Sequence, residues 1–348
     1  MTPEHAPAAR GPVSEALLAA LAGGRPEDSG AGLLVAERAA EAVAAGTDIL
    51  TDEDLQLTLY LLYGLFYGDT VSADPEWEWN PELLRARRTI EREFERQLRD
   101  RVPVGDLPEP TADAVAAHLF ELTSEDAGPS LSRFLAKQAT GDQAVEFVVH
   151  RSIYTRKEAD PHSWAIPRLT GRAKAALVEV QADEYGGGRP DRIHAEIFAK
   201  TMRGVGLDDT YGAYVDNVPA ITLASFTMMS MFGLNRSLRG AITGHLAAFE
   251  MTSSIPNRFY GNGFRRLGYD DDVTWYYDEH VEADAVHEQI AGRDLAGGLA
   301  EQHPELLPDI VFGAAACLYV DGLVGQHLLD AWQAGGSSLR EPLRAVAA

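Results

Sequence analysis

His280-Val-Glu-Ala-Asp284-Ala-Val-His287, the octet HVEADAVH, sets two imidazoles and a carboxylate at positions i, i+4 and i+7. At 100° per residue these three positions fall within about 60° of one another on a helix, so one stripe about two turns long carries all three. Nitrogen and oxygen donors in this mixture suit a borderline cation such as iron, whereas copper and structural zinc sites draw more often on cysteine. The one cysteine, Cys317, stands in AAACLYV and reads as a small core residue with no disulfide partner. A solvated helix face with two histidines would show the same octet, so the reading turns on what other segments supply.

One helix presents only one side of a metal site. Glu250 ends the run GHLAAFE, an otherwise apolar face where an unpaired carboxylate is expensive to bury. Glu158 lies in RSIYTRKEADPHSW and Glu184 in ALVEVQADEYGGGRPDRIH. His194 follows Glu184 by ten residues, about 80° away on an ideal helix. Gly186, Gly187, Gly188 and Pro190 should break that helix and let both side chains point inward. Each glutamate alone reads as a surface residue; their joint occurrence is what matters.

The surrounding pattern is helical nearly throughout. Residues 1–30 are rich in Ala, Pro and Gly and read as a flexible N-terminus. GLLVAERAAEAVAAG, at 32–46, is a good helix by propensity, and a second helix opens on the acids of Thr51-Asp-Glu-Asp54. That second helix continues as LQLTLYLLYGLFYG, apolar all round, and is therefore buried or at a subunit contact. Pro81 opens the charged amphipathic stretch PELLRARRTIEREFERQLRDR. Pro103, Pro108 and Pro110 mark a boundary between an arm at 31–109 and a main body at 110–348. In the body, helical spacing runs through 113–124, 130–158, 170–184, 190–204, 219–236, 238–253, 272–292 and 309–335. AVEFVVHRSIY is rich in β-formers, yet at this length it reads as buried helix. Gly261-Asn-Gly263 reads as a turn. The expected class is all-α.

Taken together, these residues resemble the haem-oxygenase-like di-iron oxidases and oxygenases, also described as iron-containing redox enzymes. His280, Asp284 and His287 match that family's last core helix. Glu250, thirty residues before His280, Glu184 with His194, and Glu158, twenty-six residues before Glu184, match the other ligand positions. The spacing is most similar to the N-oxygenating members, whose extra glutamate sits on a distorted helix; Glu184, beside the glycine break, takes that place as ligand and catalytic carboxylate. The WEWNPELLRARRTIEREFERQL segment also resembles the arm that many members carry. The resemblance implies a haem-oxygenase-like helical bundle with an N-terminal helical arm. It also implies two irons, Fe2+ in the resting reduced state, with O2 as co-substrate and a small amine or amino acid as substrate. Four carboxylates, those of Glu158, Glu184, Glu250 and Asp284, would balance the four positive charges of a di-ferrous pair.

Competing readings are weaker. Haem binding needs one proximal histidine, not a carboxylate-rich cluster. The ferritin-like pattern requires Glu-xx-His twice, and this chain has Asp191-xx-His194 and Asp284-xx-His287 instead. Asp191 thus stands as an alternative to Glu184, with an ion pair to Arg189 or Arg192 as its plainer role. HExxH, P-loop and GxGxxG motifs are missing. Oxidative C–C cleavage or desaturation of an amino or fatty acid, and a non-catalytic iron-binding role, are the alternative functions.

The formal net charge of −23 opposes nucleic acid as a partner. No basic and apolar leader opens the sequence and no run of about 18 apolar residues occurs, so the expectation is a cytoplasmic protein without a membrane span. An external electron donor and a homodimer are compatible with this reading. His162 and His245 fall off the ligand register and read as packed or hydrogen-bonded. Tyr276 or Tyr277 is placed to face the cluster as a donor. Arg168 and Lys157 are candidates for a substrate carboxylate, with ordinary ion pairs as the alternative. Met228, Met229, Met231 and Phe232 read as core.

Overall fold

The computed structural model describes residues 7–23, 25–26, 29–68, 72–124 and 130–343, with the side chains of 282–286 outside that description. Every regular element among the described residues is helical, so the protein is an all-α bundle with an N-terminal helical arm. Its contacts fall into two units, one of Met1–Arg101, Tyr211–Met228 and Leu339–Ala348, the other of Val102–Thr210 and Met229–Ser338.

In the first unit, Asp52 caps the Glu53–Tyr67 helix by accepting from the Leu55 amide at 2.8 Å, and Gly68 ends it in the left-handed region. Residues 55–64 of that helix are all buried, as an all-round apolar face requires. Its buried Gln56 is satisfied on both sides, donating to the Ile49 carbonyl and accepting from Thr227 Oγ1. The Pro81–Arg101 helix buries Leu83, Ala86, Ile90, Phe94 and Leu98 along one stripe. Inside the stretch expected to be flexible, Pro12–Gly23 is a helix: Val13 and Leu17 are buried, and Asp54 accepts from the Val13 and Ser14 amides.

The second unit is built on Arg239–Arg266, which packs along Leu307–Gln333 and Asp271–Gln289. Small residues set the first of these contacts. A Cβ on Gly244 would stand 1.8 Å from the Ile310 carbonyl oxygen, and one on Gly313 would stand 2.0 Å from that of Ala241. The two backbones therefore touch directly, and only glycine fits at either position. Pro304–Gln333 is long and apolar enough to cross a membrane by length and composition, although 56% of its most apolar window is buried here.

Three boundaries differ from the sequence reading, each for a local reason. The expected 130–158 helix is two, Leu131–Lys137 and Gly141–Thr155, because Thr140 and Gln143 form a reciprocal capping box. Gly261 and Gly263 lie inside the Arg239–Arg266 helix and form no turn; a Cβ on Gly263 would come within 2.6 Å of the Leu135 carbonyl oxygen, so that glycine serves a helix contact. The same helix runs through Pro256 and past the expected end at 253. Beyond Gln289 the chain widens into a π-helix, Ile290–Gly297, where Gly292 meets the Met251 methyl and Gly297 the Ala112 backbone.

Candidate metal centre

Five segments of the second unit deliver the acids and histidines. Glu158 stands in the turn after Gly141–Thr155, and Glu184 is the last residue of Gly171–Glu184. His194 is the first residue of His194–Gly204, while Glu250 and His280 come from the long helices Arg239–Arg266 and Asp271–Gln289. Between Glu184 and His194 the chain folds back through Gly186, Gly187 and Gly188, with φ of 71°, 58° and 81°. Gly186 has a second constraint, since a Cβ there would lie 2.7 Å from the Arg192 carbonyl carbon. This tight reversal brings His194 Nδ1 to 3.0 Å from Glu184 Oε2. The expected break between the two residues is thus the feature that joins them.

Glu158, Glu184, His194 and His280 each offer one donor atom, and these atoms all lie within 4.8 Å of one another. His194 Nδ1 is 3.9 Å and His280 Nε2 is 4.0 Å from Glu158 Oε1. Beside them Glu250 Oε2 stands 3.4 Å from His287 Nδ1. Glu184, His194, Glu250, His280 and His287 are all buried. Of the seven expected ligands the structure brings six together; the side chain of Asp284 lies outside the described residues. Asp191 is exposed on a short 3-10 turn away from these atoms, and Arg192 pairs with Glu279, not with Asp191.

The surroundings fix which ring nitrogen is free. His280 Nδ1–H donates to the Tyr276 carbonyl at 2.8 Å, which leaves Nε2 facing Glu158. His287 Nε2 lies 2.9 Å from Asp183 Oδ2, which leaves Nδ1 for the Glu250 side. The Tyr276 hydroxyl donates to Glu158 Oε2 at 2.7 Å, as expected for one of the two tyrosines. Such supporting bonds are what metal-binding histidines and carboxylates require.

Electrostatically the cluster divides. Burial pushes the Glu158 carboxyl well above its ordinary value, and the charge of Glu184 adds to this. Burial would do the same to Glu184, but the charge and proximity of His194, then His280 and His287, outweigh it and bring it down to about 2. Burial opposes a proton on His194 and on His287, yet Glu184 and Glu250 respectively raise them to about 10 and about 9. Burial and the His194 charge lower His280 to about 4.

Glu158 Oε1, Glu184 Oε2 and His194 Nδ1 are buried and have no hydrogen-bond partner among the described residues. His194 and Glu184 are close without being aligned for a hydrogen bond. Buried polar atoms are rarely left so, and three converging on one small volume fit a cation that would satisfy all of them. The donor set, carboxylate oxygen and imidazole nitrogen without thiolate, fits iron.

A cavity of about 270 Å³ adjoins the cluster, with Glu158, Glu184, Glu250 and His280 in its wall. His162 and Cys317 also line it. His162 Nδ1–H donates to the Glu158 carbonyl, so its Nε2 accepts from His245 Nδ1–H at 3.2 Å; both are the hydrogen-bonded histidines expected. Arg168 binds the Gly233 and Leu234 carbonyls at a helix end and Lys157 pairs with Asp160, so neither serves the cavity. Asp183 and Arg151 were missed by sequence reasoning. Arg151 carried a signal: a lone cation after the apolar run AVEFVVH, seven positions before Glu158.

Comparison with known proteins places the chain among iron enzymes. A family profile described as iron-containing redox enzyme matches residues 145–322, which include every expected ligand. A nitrosourea synthase from Streptomyces achromogenes subsp. streptozoticus is 27% identical over 157 residues, which cover 45% of this chain and 33% of that protein. The chain thus spans about a third of the length of that curated relative. In fold it is similar to a CADD-like protein of unknown function from Nostoc punctiforme, with a TM-score of 0.50 and 17% identity over 63% of this chain and 97% of that one.

Proposed function

The chain belongs to the family of iron-containing redox enzymes, and from that premise we propose that its acid–histidine cluster binds two irons and that the protein N-oxygenates a small amine or amino acid with O2. The observation that carries the proposal is Glu184. The glycine reversal holds this extra carboxylate against His194, beside a set of ligands that would already hold metal without it. The likeness to a protein named for a nitrosated product supports nitrogen as the atom oxidised.

Two bound ferrous ions would supply electrons for O2 reduction at one place. In the net reaction one oxygen atom enters an N–H bond and the other leaves as water; the substrate nitrogen gives two of the four electrons, and an external donor gives the other two together with two protons. The chain's own residues hold the site ready for this. Tyr276 steadies Glu158, the Tyr276 carbonyl and Asp183 fix the two imidazole tautomers, and the cavity admits a small molecule next to the cluster.

Anaerobic titration with ferrous iron should saturate at two ions per chain. O2 uptake should then depend on an added amine and yield a hydroxylamine or a more oxidised nitrogen product. Glu184→Ala should still bind at least one iron and lose N-oxygenation. If Glu184→Ala oxidises nitrogen as well as the parent does, Glu184 is a bystander, and C–C cleavage or desaturation on the smaller ligand set becomes the better reading. Iron uptake with no substrate-dependent O2 consumption would point to a non-catalytic iron-binding role.

A further inference from the structure

The helix that carries Glu184 has an outer face that the metal cluster does not use. Gly171–Glu184 turns Gln181 and Glu184 inward to the cavity wall. On its other side Ala175, Val178, Ala182 and Tyr185 recur at i, i+3, i+7 and i+10, within about 80° of one another, and all four are exposed. Val178 is 45% and Tyr185 37% exposed, so two of the seven large apolar side chains at the surface among the described residues share this stripe. The Tyr185 ring is held in place: its hydroxyl donates to Asp160 Oδ1 at 2.8 Å and accepts from Ser163 Oγ at 2.9 Å.

This face is the thin side of the metal centre. Glu184 stands one position before Tyr185, so a single helix, about 10–12 Å across with its side chains, separates the stripe from the cluster. An electron crossing that width needs no cofactor in between. Gly187 and Gly188 follow, both exposed, and a Cβ at either position would meet nothing within 4 Å. Bare backbone therefore spans the joint between Glu184 and His194, and a body resting on it approaches the cluster more closely than side chains would allow. A molecule in the cavity, on the inner side of the helix, leaves this outer side uncovered.

Charge selects the partner. Residues 151–203 hold ten Lys and Arg against seven Asp and Glu, whereas the rest of the chain holds twenty against forty-six. Two of those seven acids are Glu158 and Glu184, inside the cluster. Arg156 pairs with Glu196 and Lys157 with Asp160, but Lys174, beside the stripe, and Arg189, after the glycines, make no ion pair among the described residues. The acids beside the stripe are Glu179 and Asp183, the latter engaged by His287. A chain of net charge −23 repels an acidic protein over most of its surface and admits one at this segment. Repulsion elsewhere and attraction here steer such a protein to the stripe.

We propose that the outer face of Gly171–Glu184, with the exposed glycines after it, docks a small acidic protein that carries one electron at a time, and that the donor's electrons enter through this helix. This names the partner for the oxygenase reading and rests on it. In each turnover the ferrous pair and the substrate nitrogen each give two electrons to O2. Two reduced carriers then dock in succession, each loses one electron, and the iron pair returns to its ferrous state. The two protons that accompany these electrons are drawn from water.

The probes are two acidic carriers, a plant-type [2Fe–2S] ferredoxin and a flavodoxin. In its oxidised form at least one should bind the iron-free full chain in calorimetric titration at low salt, and binding should weaken as salt rises. Lys174→Glu, Val178→Glu and Arg189→Glu should each weaken it about tenfold. Lys137→Glu, an equal charge reversal on Leu131–Lys137, should leave it unchanged. Stopped-flow mixing of the reduced carrier with iron-loaded, air-oxidised protein under argon should show the same three variants slowed about tenfold. Reduction by the methyl viologen radical, which needs no docking face, should stay within about twofold of the parent rate, with iron stoichiometry unchanged. The docking face is overturned if neither carrier binds, if binding ignores salt, if the three variants bind like the parent, or if Lys137→Glu weakens binding as much as they do. Failure to take up two irons, or O2 uptake that ignores an added amine, would instead overturn the oxygenase reading, since carrier binding is measured without iron or substrate.

Discussion

His287 engages a carboxylate at each ring nitrogen, Glu250 on one side and Asp183 on the other. Asp183 is 61% exposed at its side chain, so its charge is well screened and its value lies in orientation. Replacing it with Ala removes the acceptor that leaves Nδ1 free, and ferrous affinity should fall roughly 10–100-fold. Equilibrium competition with a chelator measures this, and Asp183→Glu should restore part of the loss. Tyr276→Phe should act in the same direction through Glu158, whose Oε2 would then lose its donor. At this scale much was legible in the sequence. The sequence and its family resemblance singled out His280, His287, Glu250, Glu158, Glu184 and His194, and the fold brings these six near one another. Asp183 was illegible because its role depends on a partner 104 residues away, His287. No local periodicity reports such distances.

The reversal at 186–188 is the element on which the cluster's geometry depends. Gly186→Ala would place a Cβ at positive φ and 2.7 Å from the Arg192 backbone. The combined strain and clash should destabilise the fold by about 2 kcal/mol or more, and iron stoichiometry should fall with it. Gly187→Ala carries only the φ penalty, since nothing lies within 4 Å of its Cβ position, and should cost about 1 kcal/mol. Urea unfolding of the two variants side by side separates the contributions. A related expectation concerns Asp271–Gln289, which bears His280 and His287. Without a cation the carboxylates of Glu158, Glu184 and Glu250 repel one another beside it, so amides 275–290 should exchange faster in metal-free protein than in ferrous-loaded protein. Equal protection in both states would count against the metal reading. Sequence patterning found these helices but not their ends. Gly263 looked like a turn because the pattern cannot show the Leu135 carbonyl packed against it, and the helix expected to end at 253 continues through Pro256.

Across the second unit, acid should also act outside the acid–histidine cluster. Burial, with smaller contributions from His327 and Arg151, lowers buried His150 to about 3; its Nε2 lies 3.1 Å from Ser338 Oγ. Glu146 accepts from Ser337, Ser338 and Trp332, and these bonds overcome burial and hold its carboxyl below the ordinary value. An unfolded imidazole takes its proton near pH 6.5 and this folded one only near pH 3, so between those values the unfolded chain binds more protons. Stability should therefore decline as pH falls through that window, and Glu146 should add to the loss below about 4.5. A Tm series from pH 7 to 3 should show this, and His150→Leu should flatten its upper part. Wider still is the effect of the π-helix at Ile290–Gly297, which begins three residues after His287. A π turn closes on i+5 where an α turn closes on i+4, so the chain there carries surplus length. Sequence comparison across this stretch should meet that surplus as a gap, since a relative with an α turn has one residue fewer. A single-residue deletion within 290–297 should accordingly be absorbed by reversion to α, whereas the same deletion within Leu307–Gln333 would rotate every later side chain by about 100° and unseat the Ser338 contacts. Deletion scanning for soluble, iron-binding protein would read this as an indel-tolerant island inside an otherwise phase-locked chain.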